Sequence, residues 1–124
     1  MQLVLVGLGG FAGAVARWLV DGWVSERTAG SFPFGTLVVN LSGSFVLGVL
    51  FAWVMERGVL PPDVRAPLMI GFVGAYTTFS TLMLESWRLV EDGAWTLAAV
   101  NLAGSVALGL IAVVAGLAVG RLVP

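Results

Sequence analysis

The chain contains no histidine, cysteine or lysine, and only 10% of its 124 residues are charged. Without imidazole or thiol groups it lacks the ligands of most zinc, haem and iron–sulfur sites, and it can form no disulfide. The net charge of −1, with no cluster of basic residues, argues against nucleic-acid binding. Six arginines and seven acidic residues are too few to coat a soluble domain, in which about a quarter of residues are charged. The class that remains is a membrane protein.

Long apolar stretches account for nearly the whole chain, of which 59% is hydrophobic. A membrane-spanning helix needs about 20 predominantly apolar residues. The sequence has four such stretches, at Gln2–Val20, Gly35–Met55, Leu68–Leu89 and Ala94–Gly120. The connections between them are short. We therefore predict an all-α membrane protein, with a single domain over residues 1–124 that consists of four transmembrane helices.

The arginines are divided equally between the two sides of the predicted membrane. The side that holds both termini receives Arg57, Arg65 and Arg121, and the opposite side receives Arg17, Arg27 and Arg88. A protein with one fixed orientation normally carries more positive charge on its cytoplasmic side. Either six arginines are too few to decide, or the chain inserts in both orientations. We favour the second interpretation, an antiparallel dual-topology dimer, because four helices alone seldom enclose a pore whereas eight can.

Small residues recur at helical spacing in the spans. Glycine occupies 17 positions, including Gly9 and Gly13 in the first span and Gly116 and Gly120 in the fourth. Helices in lipid associate through close backbone approach, which small residues at four-residue spacing permit. The pattern predicts a tightly packed bundle rather than a wide aqueous pore.

The third stretch carries an unusual run of hydroxyl residues. Thr77, Thr78, Ser80 and Thr81 follow closely after Gly71 and Gly74. Glycine and threonine are weak helix formers, and Ser and Thr side chains compete for backbone hydrogen bonds. We therefore predict that the third helix is broken here, which membrane proteins tolerate only where protein or a cavity covers the backbone. Transporters and channels bind ions at such breaks.

Uncharged polar side chains are also present in the second and fourth stretches. Asn40 lies in the second, and Asn101 and Ser105 share one face of the fourth. Each asparagine could serve only an interhelical hydrogen bond, or it could line a pathway. Amide and hydroxyl groups can donate hydrogen bonds, and the ring edge of Phe79 carries partial positive charge. A tight lining of this kind suits a small anion that accepts strong hydrogen bonds.

Two ionisable residues within the stretches have alternative interpretations. Glu85 precedes Arg88 by three positions, which favours a local ion pair over a role as a proton-coupling carboxylate. Arg17 could extend its guanidinium to the lipid headgroups, or it could draw anions into a vestibule. No nucleophile–base pair can be assembled from this composition, so we expect no enzyme.

The motifs of all four stretches together resemble one family. They are Gly9-Gly10-Phe-Ala-Gly13-Ala14-Val-Ala-Arg17-Trp18, Gly35-Thr36-Leu37-Val-Val-Asn40-Leu-Ser-Gly43-Ser-Phe45, Gly71-Phe72-Val-Gly74-Ala-Tyr-Thr77-Thr78-Phe79-Ser80-Thr81 and Asn101-Leu-Ala-Gly104-Ser105. In this order they resemble the Fluc (CrcB-type) fluoride channels, small four-span proteins of bacterial membranes. The third string is the most specific, and the resemblance covers essentially the whole chain.

The resemblance implies an antiparallel dimer in the bacterial inner membrane, with two separate fluoride pores. It also implies a central sodium ion, held by the backbone carbonyls of Gly74 and Thr77 from each subunit. The family's pore asparagine corresponds to Asn40 and its first pore phenylalanine to Phe79. Its hydroxyl track corresponds to Ser80, Thr81 and Ser105, and its vestibule arginine to Arg17. We place Asn101 in the same anion pathway.

One departure from the family pattern leaves an alternative open. The family usually has a second pore phenylalanine three residues after the first, and this chain has Leu82 there. Either conduction tolerates leucine, or a partner subunit supplies the ring in a heterodimer. We predict a passive fluoride channel that exports cytoplasmic fluoride. The alternative is a proton-coupled small multidrug-type exporter of dual topology, which would have to use Glu85.

Overall fold

The computed structural model describes residues 1–122, and within them every regular element is helical. Helix α1 is Gln2–Ser25. Helix α2 is Phe34–Phe51 and continues as a wider π-helical turn, Ala52–Glu56. After a 3₁₀ turn at Pro62–Val64, helix α3 covers residues 66–76, with π-helical Ala66–Val73 followed by α-helical Gly74–Tyr76. Helices α4, Phe79–Glu91, and α5, Trp95–Leu122, complete the chain.

Four helical segments are long and apolar enough to cross a membrane. They are Gln2–Ser25, Phe34–Glu56, Pro62–Glu91 and Trp95–Leu122. The third is the combination of α3 and α4, which are separated by two residues of extended backbone. Both the four spans and the broken third helix predicted from the sequence are confirmed. Of the predicted domain, residues 123 and 124 lie outside the described part of the chain.

Glycines allow the helices to touch backbone to backbone. A Cβ atom at Gly13 of α1 would collide with the carbonyl of Phe72 in α3, so no larger residue fits. The α2–α5 pair repeats this arrangement, because a Cβ at Gly116 would collide with the carbonyl of Phe45. The predicted close packing of small-residue faces is therefore present in two helix pairs.

Polar contacts fix one end of the bundle. Arg121 at the end of α5 forms a bidentate ion pair with Glu56 at the end of α2, with N–O distances of 2.6 and 2.7 Å. Arg57 donates to the backbone carbonyls of Gly120 and Arg121, both at 3.2 Å. These carbonyls belong to the last turn of α5, where no later amide of the helix can reach them. The contacts hold the ends of α2 and α5 side by side.

The opposite end is closed by a tight connection between α4 and α5. Gly93 has a φ of 74°, a left-handed conformation that glycine adopts without steric cost. The amide of Ala94 donates to the carbonyl of Leu89 at 2.8 Å, so the chain reverses immediately after α4. This short turn forces α4 and α5 to run antiparallel as neighbours.

Candidate functional site

The break between α3 and α4 consists of Thr77 and Thr78. Their φ and ψ angles are −81° and 158°, and −149° and 116°, both in the extended region. The amide and the hydroxyl of Thr77 both donate to the carbonyl of Val73, each at 3.0 Å, and this closes the last turn of α3. The break therefore has defined hydrogen bonds on its α3 side.

Asn40 of α2 binds the extended backbone of Thr78 with both ends of its amide. The Thr78 amide donates to Asn40 Oδ1 at 2.7 Å, and Asn40 Nδ2 donates to the Thr78 carbonyl at 3.0 Å. A neighbouring glycine allows this approach, because a Cβ at Gly43 would collide with the Thr77 side chain. Asn40 thus supplies the hydrogen bonds that a neighbouring β-strand would give to extended backbone. Within a membrane span such bonds are needed, because unpaired backbone groups are costly there.

Thr78 also begins α4 as its N-cap residue. Its hydroxyl accepts a hydrogen bond from the Thr81 amide at 3.2 Å and donates to Thr81 Oγ1 at 3.0 Å. This is the usual use of threonine at a helix start, where the first amides have no helical partner. The sequence reasoning missed this role of Thr78, although a threonine directly before an apolar helical stretch is a recognisable capping signal.

The hydrogen bonds at the break deprive two carbonyls of their normal helical partners. In a continuous helix the Gly74 carbonyl would accept from the Thr78 amide, and the Thr77 carbonyl from the Thr81 amide. The first of these amides donates to Asn40 and the second to the Thr78 hydroxyl. The Thr77 carbonyl instead receives a long contact of 3.5 Å from Nη1 of Arg17. These are the two carbonyls that the sequence comparison with the Fluc family singled out.

A cavity of about 320 Å³ adjoins the break, and we call it the break cavity. Asn40, Thr77 and Thr78 lie in its wall together with Phe79 of α4 and Ser105 of α5. The Ser105 hydroxyl is buried and has no hydrogen-bond partner within the protein. The rest of the wall is apolar or small: Gly43, Ser44, Leu47, Val73, Leu82, Met83, Leu102 and Val106. Among the described residues, then, no charged side chain lines this cavity.

A second cavity of about 220 Å³, the vestibule cavity, lies between α1, α2 and the start of α4. Its wall consists of Ala14, Arg17, Trp18, Asp21, Thr36, Val39, Thr78 and Thr81. Because Thr78 lines both cavities, the break forms the partition between them. Among the described residues of this second wall, Arg17 is the only cation, and its assignment as a vestibule arginine remains a prediction.

The predicted pathway residues are only partly brought together. Asn40, Phe79 and Ser105 share the break cavity, whereas Thr81 faces the vestibule cavity. Asn101 lines neither, because it is buried between helices and its Nδ2 donates to the Ser86 hydroxyl at 2.9 Å. Ser80 is exposed and also lies outside both cavities. The assignments of all these residues to an anion pathway remain predictions.

Glu85 does not form the ion pair expected with Arg88. Within residues 1–122 the ion pair present joins Glu56 to Arg121, and Arg88 is exposed. Glu85 Oε1 instead accepts a hydrogen bond of 2.8 Å from the hydroxyl of Thr36. The expectation was wrong because α4 turns Glu85 toward α2 and leaves Arg88 on the outer surface. Thr36, at the start of α2, had given no sequence signal of this contact.

The fold and these two cavities define a class of protein. It is a multi-pass membrane protein whose third span is interrupted beside a cavity with no charged residue in its described wall, as in ion channels and transporters. The chain belongs to the CrcB family, since the model of "CrcB-like protein, Camphor Resistance (CrcB)" matches residues 4–117. The resemblance found in the sequence is thereby confirmed.

Individual relatives are similar along nearly their full length. The chain is 47% identical over 122 residues to a protein of Hahella chejuensis named "Fluoride-specific ion channel FluC", covering 98% of this chain and 96% of that one. It is 44% identical over 123 residues to the protein of the same name from Magnetococcus marinus, covering 99% and 100%. "Fluoride-specific ion channel FluC 1" of Symbiobacterium thermophilum is 48% identical over 121 residues, covering 97% and 98%. All three names describe channels rather than enzymes.

Proposed function

We propose that this chain forms a fluoride-selective passive channel of the bacterial inner membrane, through which cytoplasmic fluoride leaves the cell. The observation that carries the proposal is the break cavity, whose described wall combines neutral donors with apolar side chains and has no charge. Membership of a family in which several relatives are named fluoride-specific ion channels supports the same conclusion.

The lining of the break cavity is better suited to a small anion than to a cation. The Ser105 hydroxyl is buried in the cavity wall and has no partner within the protein, so its proton is not committed to another protein group. The Phe79 ring, 75% exposed, can present its electropositive edge. Cation pathways use rings of carboxylates or carbonyls, and no carboxylate is among the wall residues described above. Fluoride, small and a strong hydrogen-bond acceptor, matches such donors.

The proposed transport needs no coupling to protons. Fluoride enters cells as the neutral acid and ionises in the cytoplasm, so a selective leak driven by the negative-inside potential is sufficient to expel it. The alternative of a proton-coupled exporter would need a carboxylate in the substrate site. Glu85 lies outside the break cavity and is hydrogen-bonded to Thr36. The passive channel is therefore the better-supported proposal.

We propose that two chains in opposite orientations form the channel. The break cavity is bounded by α2 to α5 of one chain, yet Phe79 and Ser80 beside it remain exposed, which leaves part of the pathway for a partner to complete. The equal division of the arginines supports opposite orientations. A homodimer is favoured, and a heterodimer with a related chain would explain Leu82, which is buried in the wall at 6% exposure.

A sodium ion at the dimer centre is part of the same proposal. The Gly74 and Thr77 carbonyls fit such a site, because the amides that would pair with them in a helix are engaged elsewhere and the contact of Arg17 with the Thr77 carbonyl is long, at 3.5 Å. Backbone carbonyl oxygens are suitable ligands for an alkali cation. Bound sodium would supply positive charge that holds the two breaks together. Replacing sodium with N-methylglucamine should then lower the melting temperature of the purified dimer, and an unchanged melting temperature would contradict the site.

The function is tested with the purified chain in liposomes. Vesicles loaded with potassium fluoride or with potassium chloride are treated with valinomycin, and the released anion is measured with an ion-selective electrode. We expect rapid fluoride release, chloride release at the level of protein-free vesicles, and no requirement for a pH gradient. Equal release of both anions would refute the proposed selectivity. Fluoride release only after addition of a second, related subunit would establish the heterodimer.

A further inference from the structure

The vestibule cavity contains a carboxylate beside its arginine. Asp21 follows Arg17 by four positions in α1, so both side chains lie on one face of the helix and line the same cavity. Asp21 is half-buried and points toward the start of α2, where a Cβ added to Gly35 would collide with its Oδ1. An acidic group is unexpected at the mouth of an anion pathway, since it repels the ion that must enter.

Arg17 does not neutralise Asp21 through an ion pair. The one ion pair among residues 1–122 lies at the other end of the bundle, between Glu56 and Arg121. Arg17 directs Nη1 to the Thr77 carbonyl instead, at 3.5 Å. The Asp21 carboxylate receives only a weak hydrogen bond of 3.4 Å from the Ser25 hydroxyl. Its charge therefore remains effective in the cavity.

A second carboxylate, that of Glu85, lies near the same cavity. Glu85 contacts Thr36, another residue of the vestibule wall, through the 2.8 Å hydrogen bond. Asp21 and Glu85 both lie against the start of α2, at Gly35 and Thr36, whereas Arg88 is exposed on the outer surface of α4. Around the vestibule, two carboxylates thus oppose the single guanidinium of Arg17.

We infer that Asp21 limits the rate of anion entry into the proposed channel. Its negative charge, in the vestibule cavity beside Arg17, lowers the local concentration of anions. The inference rests on the proposed function for its physiological meaning. The repulsion of anions from the vestibule cavity can be measured even in protein that does not conduct.

The absence of native cysteine provides a direct test. Ala14→Cys places one thiol in the wall of the vestibule cavity, at an exposed position. Its reaction rates with a sulfonate-bearing and a trimethylammonium-bearing methanethiosulfonate are compared in detergent micelles, with and without Asp21→Asn. Asparagine preserves size and the acceptor for Ser25. Any change in thiol pKa affects both reagents equally, so the anionic-to-cationic rate ratio isolates the local potential.

We expect Asp21→Asn to raise this ratio about threefold at 0.01 M salt and to leave it nearly unchanged at 1 M, where the Debye length is about 3 Å. The matched control is Asp92→Asn in the exposed α4–α5 connection, which should leave the ratio unchanged at both salt concentrations. Asp21→Glu, which retains the charge, should behave like the parent. If Asp21→Asn does not fold, Asp21→Ser serves as the neutral variant.

Fluoride efflux separates this inference from the proposed function. With a conducting parent, Asp21→Asn should increase efflux about two- to threefold at low salt. A conducting parent with an unchanged rate ratio and unchanged efflux in the neutral variants would overturn the role of Asp21 and leave the channel function intact. A parent that conducts neither alone nor with a second, related subunit would refute the proposed function, while the rate ratio would still decide whether Asp21 repels anions.

Discussion

Replacing Asn40 with leucine should release the helix break from α2. Leucine has a similar branched shape, so the substitution removes both hydrogen bonds to Thr78 without opening a large cavity. The lost bonds measure 2.7 and 3.0 Å, and Thr78 is buried at 8% exposure, so water does not readily replace them.

The magnitude follows from the two backbone groups left unpaired. A buried amide or carbonyl without a partner costs about 1–3 kcal/mol in soluble proteins. Interhelical hydrogen bonds within membranes average only about 0.6 kcal/mol, because the unfolded state in the membrane also finds partners. For the pair at Thr78 we expect a loss of about 2 kcal/mol in unfolding free energy, between the two scales.

The assay is reversible unfolding in mixed micelles, followed by the fluoride-efflux measurement. Ser44→Ala is the matched control, since Ser44 lies one turn later in α2 and lines the same cavity. Asn40→Leu should be destabilised by about 2 kcal/mol relative to Ser44→Ala and should lose fluoride efflux. A stability within about 0.5 kcal/mol of the control, with efflux intact, would refute the view that Asn40 holds the break in its conducting geometry.

Three further predictions concern the cavity wall and the helix contacts. Phe79→Leu should lower fluoride efflux while the melting temperature stays near that of the parent, because the ring is 75% exposed within one chain and leucine keeps the position apolar; a melting temperature that falls together with efflux would indicate that the ring packs against the partner chain. Leu82→Phe should raise efflux of the purified single chain if a second ring edge improves the pathway, whereas reduced efflux at unchanged stability would show that leucine is required for space. Gly116→Ala should cost about 1–3 kcal/mol in unfolding free energy through the clash with the Phe45 carbonyl. Gly104→Ala, with open space around its Cβ, is its control and should be neutral in the same unfolding measurement.

The spans and the break were predictable from the sequence because both depend on local composition. Apolar length determines where a helix can cross the membrane, and a run of hydroxyl residues after glycines weakens the helix wherever it is placed. The packing role of Gly13 and Gly116 was also predictable, because small residues at four-residue spacing have few other uses in lipid. These signals need no knowledge of which helices are neighbours.

The pairing of particular side chains was not predictable in this way. Asn40 and Thr78 are 38 positions apart, and Thr36 and Glu85 are 49 apart. Such contacts depend on how two helices are rotated against each other, and α2 and α5, which are apolar on nearly all sides, give no preferred rotation. For the same reason the contact of Asn101 with Ser86 was not predicted, and Glu85 was expected to bind Arg88 rather than Thr36 of α2.

The glycine contacts between α2 and α5 have a consequence for biosynthesis. Helices enter the membrane in chain order, so α2 is inserted well before α5 is synthesised. Until then the surface around Gly48, which finally meets the backbone of Val113 and Gly116, faces lipid or the insertion machinery. The bundle is completed only when its last helix arrives. Substitutions in α5 that weaken these contacts should therefore leave a half-assembled chain exposed to membrane proteases for longer. We expect them to lower the amount of protein in the cell more than they lower the unfolding free energy of the purified protein.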